Sequence, residues 1–379
     1  AVESSHLLMN SFPNMFPEEH KKQVINKIIS MLKNEFVTVS FEKTVGTESS
    51  KIKYEKISNE EIIGASYYWE KYKKYKLRTR TPSFITAQSR DVDRILRMMP
   101  SPTKNQSFQS FGMVIGDVQA GKTGNYSVLI NKAADIGYKL IIVLTGMTEG
   151  LRRQTQKRLD EDFVGATSEA GKQSRKFVGV GTLEPHEPSR VPTCITDQAN
   201  DFKKSSVANF ILESQNSPVV IVTKKNSSIL SNILNFLSGQ THGDNIQDTI
   251  RVPTLIIDDE SDNASVDTAK EDEDPKAINR KIRLLVNMCN QVSYVAYTAT
   301  PYANIFIDPE LEKQDSDTGI TLVDLYPKDF IVALKAPSNY CGGDFFYSDD
   351  PEIRFADKVK VLIEDAGEEN AFPLTHTKK

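Results

Sequence analysis

The chain reads as an α/β protein: a doubly wound sheet of parallel strands preceded by a mostly helical N-terminal region. Three observations predict this. From about residue 86, short β-rich runs alternate with helical segments, the order that a parallel sheet with crossover helices requires. The runs at 112–116, 140–145, 176–180, 219–223, 254–258 and 294–298 are nearly all apolar, and strands covered on both faces lose the in-and-out alternation of half-exposed ones. The segments between them, notably 122–136 and 149–163, are long enough to return the chain across the sheet as helices.

Taken in order, Pro17-Glu18-Glu19 opens an amphipathic stretch in which Val24, Ile28, Met31 and Leu32 recur near helical spacing. A second helix is expected after Ser58, carrying Ile62, Ile63, Tyr67, Trp69 and Tyr72, with Pro82 as a boundary. The basic run at 71–80, interleaved with Tyr72 and Tyr75, reads as a helix surface whose lysine stems cover a tyrosine stripe. After about Pro309 the alternation weakens. Three units follow: a helical region at 1–85, an α/β lobe at 86–310, and a C-terminal extension at 311–379.

Composition narrows the function classes. The 379 residues are 39% hydrophobic and 26% charged, with 47 Lys and Arg against 51 Asp and Glu, which excludes a disordered chain and a purely electrostatic nucleic-acid binder. The longest apolar runs are strand-sized, well short of the ~18 residues of a membrane span. A secretory signal is not in evidence at the N-terminus. Cys194, Cys289 and Cys341 are too far apart in sequence to suggest a disulfide framework or a zinc pair. A cytoplasmic location without membrane partners is the expectation.

The sharpest motif is Gly116-Asp-Val-Gln-Ala-Gly121-Lys122-Thr123, a complete GxxxxGK[ST] loop between an apolar strand and a helical segment. Glycines let such a loop curl so that its N–H groups and the following helix N-terminus face phosphate oxygens. ATP with Mg²⁺ is the expected ligand, held by Gly116, Gln119, Ala120, Gly121, Lys122, Thr123 and Gly124. Lys122 would reach the β- and γ-phosphates, and the Thr123 hydroxyl would join the Mg²⁺ shell.

A P-loop needs a carboxylate at a neighbouring strand end, and Asp258-Asp259-Glu260-Ser261-Asp262 follows the apolar run at 254–257. Asp259 reads as the metal-shell acid and Glu260 as the base that orients and deprotonates water; a rival register gives the metal role to Asp258. Asp262 would link this loop to the next motif, Thr298-Ala299-Thr300-Pro301, which follows another buried run. Its two hydroxyls sit where open α/β folds bind ligands and can pass nucleotide state to a neighbouring domain.

In chain order these three motifs resemble the first motor lobe of superfamily-two helicases, a RecA-like P-loop NTPase lobe. The segments GMVIGDVQAGKTGNYSVLINKAADIGYKLIIVLTG, LRRQTQKRLDEDFVG, TLIIDDESDNAS, AINRKIRLLVN, YVAYTATPYANIFID and LYPKDFIVALKAPSNY are similar to the bacterial Z-one-domain proteins. Those are helicase-like ATPases, often labelled endonucleases, of restriction and phage-defence systems. The resemblance runs from about residue 67 to 340 and implies a DNA-directed ATPase with defence-operon partner proteins. It also implies nucleic-acid contacts at Arg152, Arg153, Lys224 and Lys225, and an adenine-reading role for Gln88. Asn279, Arg280 and Arg283 would sense phosphate, brace the acidic loop or pair with it.

Nuclease chemistry is not legible in these residues. The five histidines, His6, His20, His186, His242 and His376, are scattered, and no D…ExK pair stands out. A second motor lobe and its arginine finger, whose loss costs ~10³ to 10⁵ in rate, are also not found. The chain starts without Met and ends roughly 80 residues after Thr300, so the expectation is the N-terminal part of a longer protein, slow to hydrolyse ATP alone. Three readings stand: a DNA motor lobe, an ATP-dependent switch or assembly module that recruits a partner nuclease, and a nuclease with an unfamiliar site.

Overall fold

Burial of the apolar runs on both faces sets the architecture. The computed structural model describes residues 54–334, apart from 117–121, 168–175, 185–186, 242–247, 264, 267–275, 306, 308–311 and 316. The helix expected near 17–32 and the segment after 334 lie outside the described residues.

The helical N-terminal part begins with α1 (Asn59–Gly64), whose Ser58 forms a reciprocal capping box with Glu61. It continues with α2 (Tyr67–Lys76) and α3 (Pro82–Met98), the latter with Pro at its first turn. On α2 the lysines lie along rings as expected: Lys71 stands over Tyr67, and Lys76 over Tyr72 and Tyr75.

The sheet contains β1 (Phe108–Ile115), β2 (Leu140–Thr145), β5 (Thr193–Cys194), β6 (Val219–Lys224), β7 (Thr254–Asp259), β8 (Gln291–Thr298) and β11 (Phe330–Ala333). Its order is β11-β1-β8-β7-β2-β6-β5, and every pairing is parallel. This is the α/β fold with a parallel sheet and a helical N-terminal region that the sequence predicts. Between the strands run α4 (Lys122–Ile136), α5 (Glu149–Leu159), α6 (Ser227–Ser238) and α7 (Ala277–Asn287); the four-residue α8 (Tyr302–Ile305) follows β8. A π-helical turn (Asp160–Val164) continues α5.

Strand parity divides the core in two. Val114, Ile141, Val143, Leu255, Ile257 and Val295 pack with α1 to α4. Their sequence neighbours Met113, Ile142, Ile256 and Ala296 pack with α6 and α7. Helix α4 is enclosed almost throughout, polar residues included, and its buried Lys132 is satisfied by Ser89 at 2.7 Å, Asp93 at 2.5 Å and the Trp69 ring at 4.5 Å. Asp135, near the end of α4, accepts from the amides of Tyr67, Tyr68 and Trp69 at 2.9 to 3.0 Å, capping α2. The N-terminal helices are thus fastened to the helix that follows the glycine-rich loop.

Two expectations change. The run at 176–180 is not a strand of this sheet: only Lys176–Phe177 (β4) is paired as a strand, both residues are exposed, and it pairs antiparallel with β3 (Ala166–Thr167). Gly179 adopts φ 53°, with Glu161 backbone where a side chain would stand, so the chain turns there into a 3-10 segment (Gly179–Thr182). The lobe also extends past residue 310, because β11 pairs with β1. Asp329 secures that addition: its carboxylate accepts from the Phe111 amide at 2.7 Å, and its amide donates to the Phe111 carbonyl at 3.0 Å. The small hairpin β9 (Glu312–Gln314) and β10 (Thr321–Val323) precedes it.

Candidate functional site

Parallel strands all end on one side, so register alone gathers the motifs. Ile115 is opposite Thr298, Asp259 opposite Tyr297, and Leu144 opposite Asp258. The Gly116 amide donates to the Thr298 carbonyl at 3.0 Å. Gln119, Ala120 and Gly121 lie outside the described residues, but both ends of their loop are placed. Lys122 opens α4 and its Nζ donates to the Gly116 carbonyl at 3.1 Å, so the lysine reaches back across the loop it follows.

Thr123 is half-buried on the first turn of α4. One turn on, the buried Tyr126 hydroxyl donates to Asp259 Oδ2 at 3.1 Å; burial pushes this phenol up, and the nearby Thr123 and Thr155 side chains offset that in part. Thr123 and Asp259 therefore converge on one phenol from two different elements. Burial raises the Asp259 carboxyl above its ordinary range; the Tyr126 bond and the Lys225 charge offset this only in part, and the neighbouring Glu260 adds to it. A desolvated carboxylate of this kind gains strongly from a nearby cation. The pair fits Mg²⁺, which takes few protein donors and keeps several waters when it binds phosphates.

Asp258 faces the other side of the sheet. Its Oδ1 pairs with Lys225 Nζ at 2.7 Å, both side chains being fully buried, and its Oδ2 accepts a short bond from Tyr294. That carboxylate is neutralised by the protein itself, and the rival register that gave it the metal role does not suit this placement. Burial, and next the charge of Asp258, push the Tyr294 phenol well above its ordinary range.

Glu260 is the one non-glycine residue at positive φ (54°) among the described residues. Such a conformation costs on the order of 1 to 3 kcal/mol and collects at functional sites. Its carboxylate lies over Gly146, just past β2: an added Cβ there would overlap Glu260 Oε2 and stand 2.7 Å from Leu151 Cδ1. Beyond it, Asp262 accepts from Thr298 Oγ1 and Thr300 Oγ1, each at 2.7 Å, while the Thr300 amide donates to Thr298 Oγ1 at 2.9 Å. The acidic loop and the Thr-Ala-Thr strand end are one hydrogen-bonded unit.

Gln88 on α3 is half-buried, with its Nε2 2.9 Å from where a Gly124 side chain would begin; Arg158 Nη2 stands 3.7 Å from the same point. Gln88 is therefore beside the first turn of α4.

The four cations expected to meet nucleic acid separate into two kinds. Arg152 is fully buried: its guanidinium bonds Glu149 Oε1 at 2.7 and 2.9 Å and the carbonyls of Asp197 and Gln198. Lys225 is equally enclosed, donating to the Glu260 carbonyl at 2.6 Å, the Asn263 carbonyl at 3.0 Å and Ser265 Oγ at 3.1 Å. Neither presents charge to a phosphate backbone, which corrects the expectation for both. Arg153 is 58% exposed and Lys224 25% exposed, both bonded to Glu149; they remain on the surface.

On α7, Asn279 Nδ2 donates to the Ser265 carbonyl at 2.7 Å and so braces the acidic loop. Arg280 pairs with Asp315 and Asp317, and Arg283 with Asp324 at 2.5 Å, so these ion pairs reach the segment after β8. Sequence reading missed Tyr126 and Gly146. Tyr126 had a signal, since three residues after Thr123 is the same face of a helix; Gly146 had none, because its role depends on where Glu260 folds.

Among the described residues no helix is long and apolar enough to cross a membrane, and no group of three or more His, Cys, Asp or Glu is placed to hold a metal.

No protein-family model matches the chain, and no curated protein does. Among solved structures it is similar to an ATP-dependent Type ISP restriction-modification enzyme, LlaBIII, bound to DNA, with a TM-score of 0.34 and 12% identity over 74% of this chain. The chain spans 15% of that enzyme's length, and no residue role follows from the likeness.

Proposed function

We propose that this chain is the ATP-binding and hydrolysing lobe of a helicase-like DNA translocase of a bacterial restriction or phage-defence system. The observation that carries the reading is the meeting of Lys122, Thr123, Asp259 and Glu260 at one sheet edge, with Asp262 bonded to both Thr298 and Thr300.

ATP with Mg²⁺, when bound, supplies the phosphoanhydride whose cleavage drives the cycle. Gly116, Lys122 and Gly124 border the phosphates, with Gln119, Ala120 and Gly121 between them. Thr123 and Asp259 hold the cation shell, and Gln88 stands nearest the base. Glu260, fixed above Gly146, orients water and takes its proton on the carboxylate. Asp262, Thr298 and Thr300 carry the state of the acidic loop to whatever packs beyond the sheet edge. Arg153 and Lys224 are the cations of the original four that are still available to DNA phosphates.

The test is ATP turnover with and without single- and double-stranded DNA, in this chain and in the longest natural chain that contains it. Lys122→Ala and Glu260→Gln are expected to abolish turnover, and DNA to raise it in the longer chain. A second reading, an ATP-dependent switch that assembles a partner nuclease, gains from the burial of Arg152 and Lys225, which removes two of the four expected DNA contacts. DNA-independent turnover together with nucleotide-dependent capture of a purified partner would select it.

A further inference from the structure

We propose that Lys225 is a positioning residue that holds Glu260 in its left-handed conformation, working from the opposite face of the sheet; this rests on the reading of Glu260 as the residue that receives the proton from water.

An ammonium has three N–H donors and cannot be buried without using them. Lys225 spends them on the acidic loop, at the Glu260 and Asn263 carbonyls and Ser265 Oγ, while its charge is balanced by Asp258. The loop therefore closes around one nitrogen. The Glu260 carbonyl accepts a second bond, from the Asn263 amide at 2.9 Å. On the far side of Ser265, Asn279 holds the backbone carbonyl at 2.7 Å.

The left-handed turn gives Glu260 two opposite directions. Its carbonyl points down to Lys225, and its side chain lies over Gly146. Without the ammonium, the Glu260 carbonyl keeps one partner and the backbone loses the contact that selects its strained conformation. Neutralising Asp258 needs only one of the Lys225 contacts. The other three all go to 260–265, so the lysine acts on the loop as well as on the buried acid.

The full chain should be compared with Lys225→Met and with the double variant Lys225→Met/Asp258→Leu, which leaves no unpaired buried charge. The first measurement is hydrogen exchange of the nucleotide-free protein. Amides of 260–265 are expected to exchange at least ~10-fold faster in the double variant, with the central strands unchanged. The second is steady-state ATP hydrolysis, where kcat is expected to fall on the order of 10²-fold while KM for ATP stays within about threefold. Parental exchange at 260–265 in a folded double variant overturns the proposal, as does parental kcat. A parental rate in Glu260→Gln instead overturns the reading of Glu260, and exchange still decides the clamp.

Discussion

The Tyr126 hydroxyl donates to Asp259 at 3.1 Å, tying the helix that follows the glycine-rich loop to the strand that ends in acids. Removing that hydroxyl leaves a buried carboxylate short of a donor, which costs about 1 to 3 kcal/mol. Tyr126→Phe should therefore melt several degrees lower. If Asp259 belongs to the Mg²⁺ shell, the Mg²⁺ concentration for half-maximal ATP hydrolysis rises severalfold, and a Mg²⁺ titration at saturating ATP checks it.

Gly146 leaves the space in which the Glu260 carboxylate lies. Gly146→Ala meets the ends of two side chains, Glu260 and Leu151, rather than backbone, so stability should change by no more than about 1 kcal/mol. The carboxylate must move, however, and turnover is expected to drop at least ~10-fold. Paired melting curves and ATPase rates test the split.

Asp262 collects two hydroxyls from the Thr-Ala-Thr segment, one buried and one exposed. Cutting the exposed link with Thr300→Ala should lower the stimulation of ATP hydrolysis by DNA at least ~10-fold in the longer chain, while the dissociation constant for a fluorescent ATP analogue holds within about twofold. Equal stimulation in both proteins would remove the coupling role.

Glu149 gives a pH signature. Partial burial alone would raise its carboxyl, but hydrogen bonds and charge from Arg152 and Lys224 bring it down to about 2. A depressed carboxyl contributes stability that is fully present above its unfolded value near 4.5 and is lost as pH falls toward 2. Glu149→Gln should thus melt lower than the parent at neutral pH, with the gap closing between about pH 4.5 and 2. Thermal melts across that window measure it.

Asp135 caps three successive amides of α2 from the end of α4. Asp135→Ala is expected to cost about 1 to 2 kcal/mol and to loosen 67–76 first. Urea unfolding gives the total, and proteolysis at the lysines of α2 localises it.

Much of the fold could be read from sequence because fully buried parallel strands announce themselves as unbroken apolar runs. Five of the six expected runs are strands of the sheet. The sixth failed at Gly179, where one left-handed residue outweighs the apolar neighbours Phe177, Val178 and Val180. The edge strand Phe330–Ala333 escaped notice because four residues after a Pro- and Asp-containing stretch look like loop until Asp329 is seen pinning Phe111. The lysine after the glycine-rich loop and the acidic loop were legible as spacing. Which basic residues face water was not: Arg152 and Arg153, or Lys224 and Lys225, are chemically equivalent in a string of letters, and helix face or strand parity decides between them.

Parity has its sharpest effect at Asp258 and Asp259. The two side chains have identical chemistry, yet one faces a lysine supplied by the protein and the other faces the hydroxyl of a tyrosine. Slipping β7 by a single position would exchange the faces they point to, moving Asp258 away from its lysine and placing Asp259 against it. The hydrogen-bond ladders to β2 and β8 thus act as a selector between two like charges, and a one-residue insertion in β7 would disable the edge even with every motif letter intact.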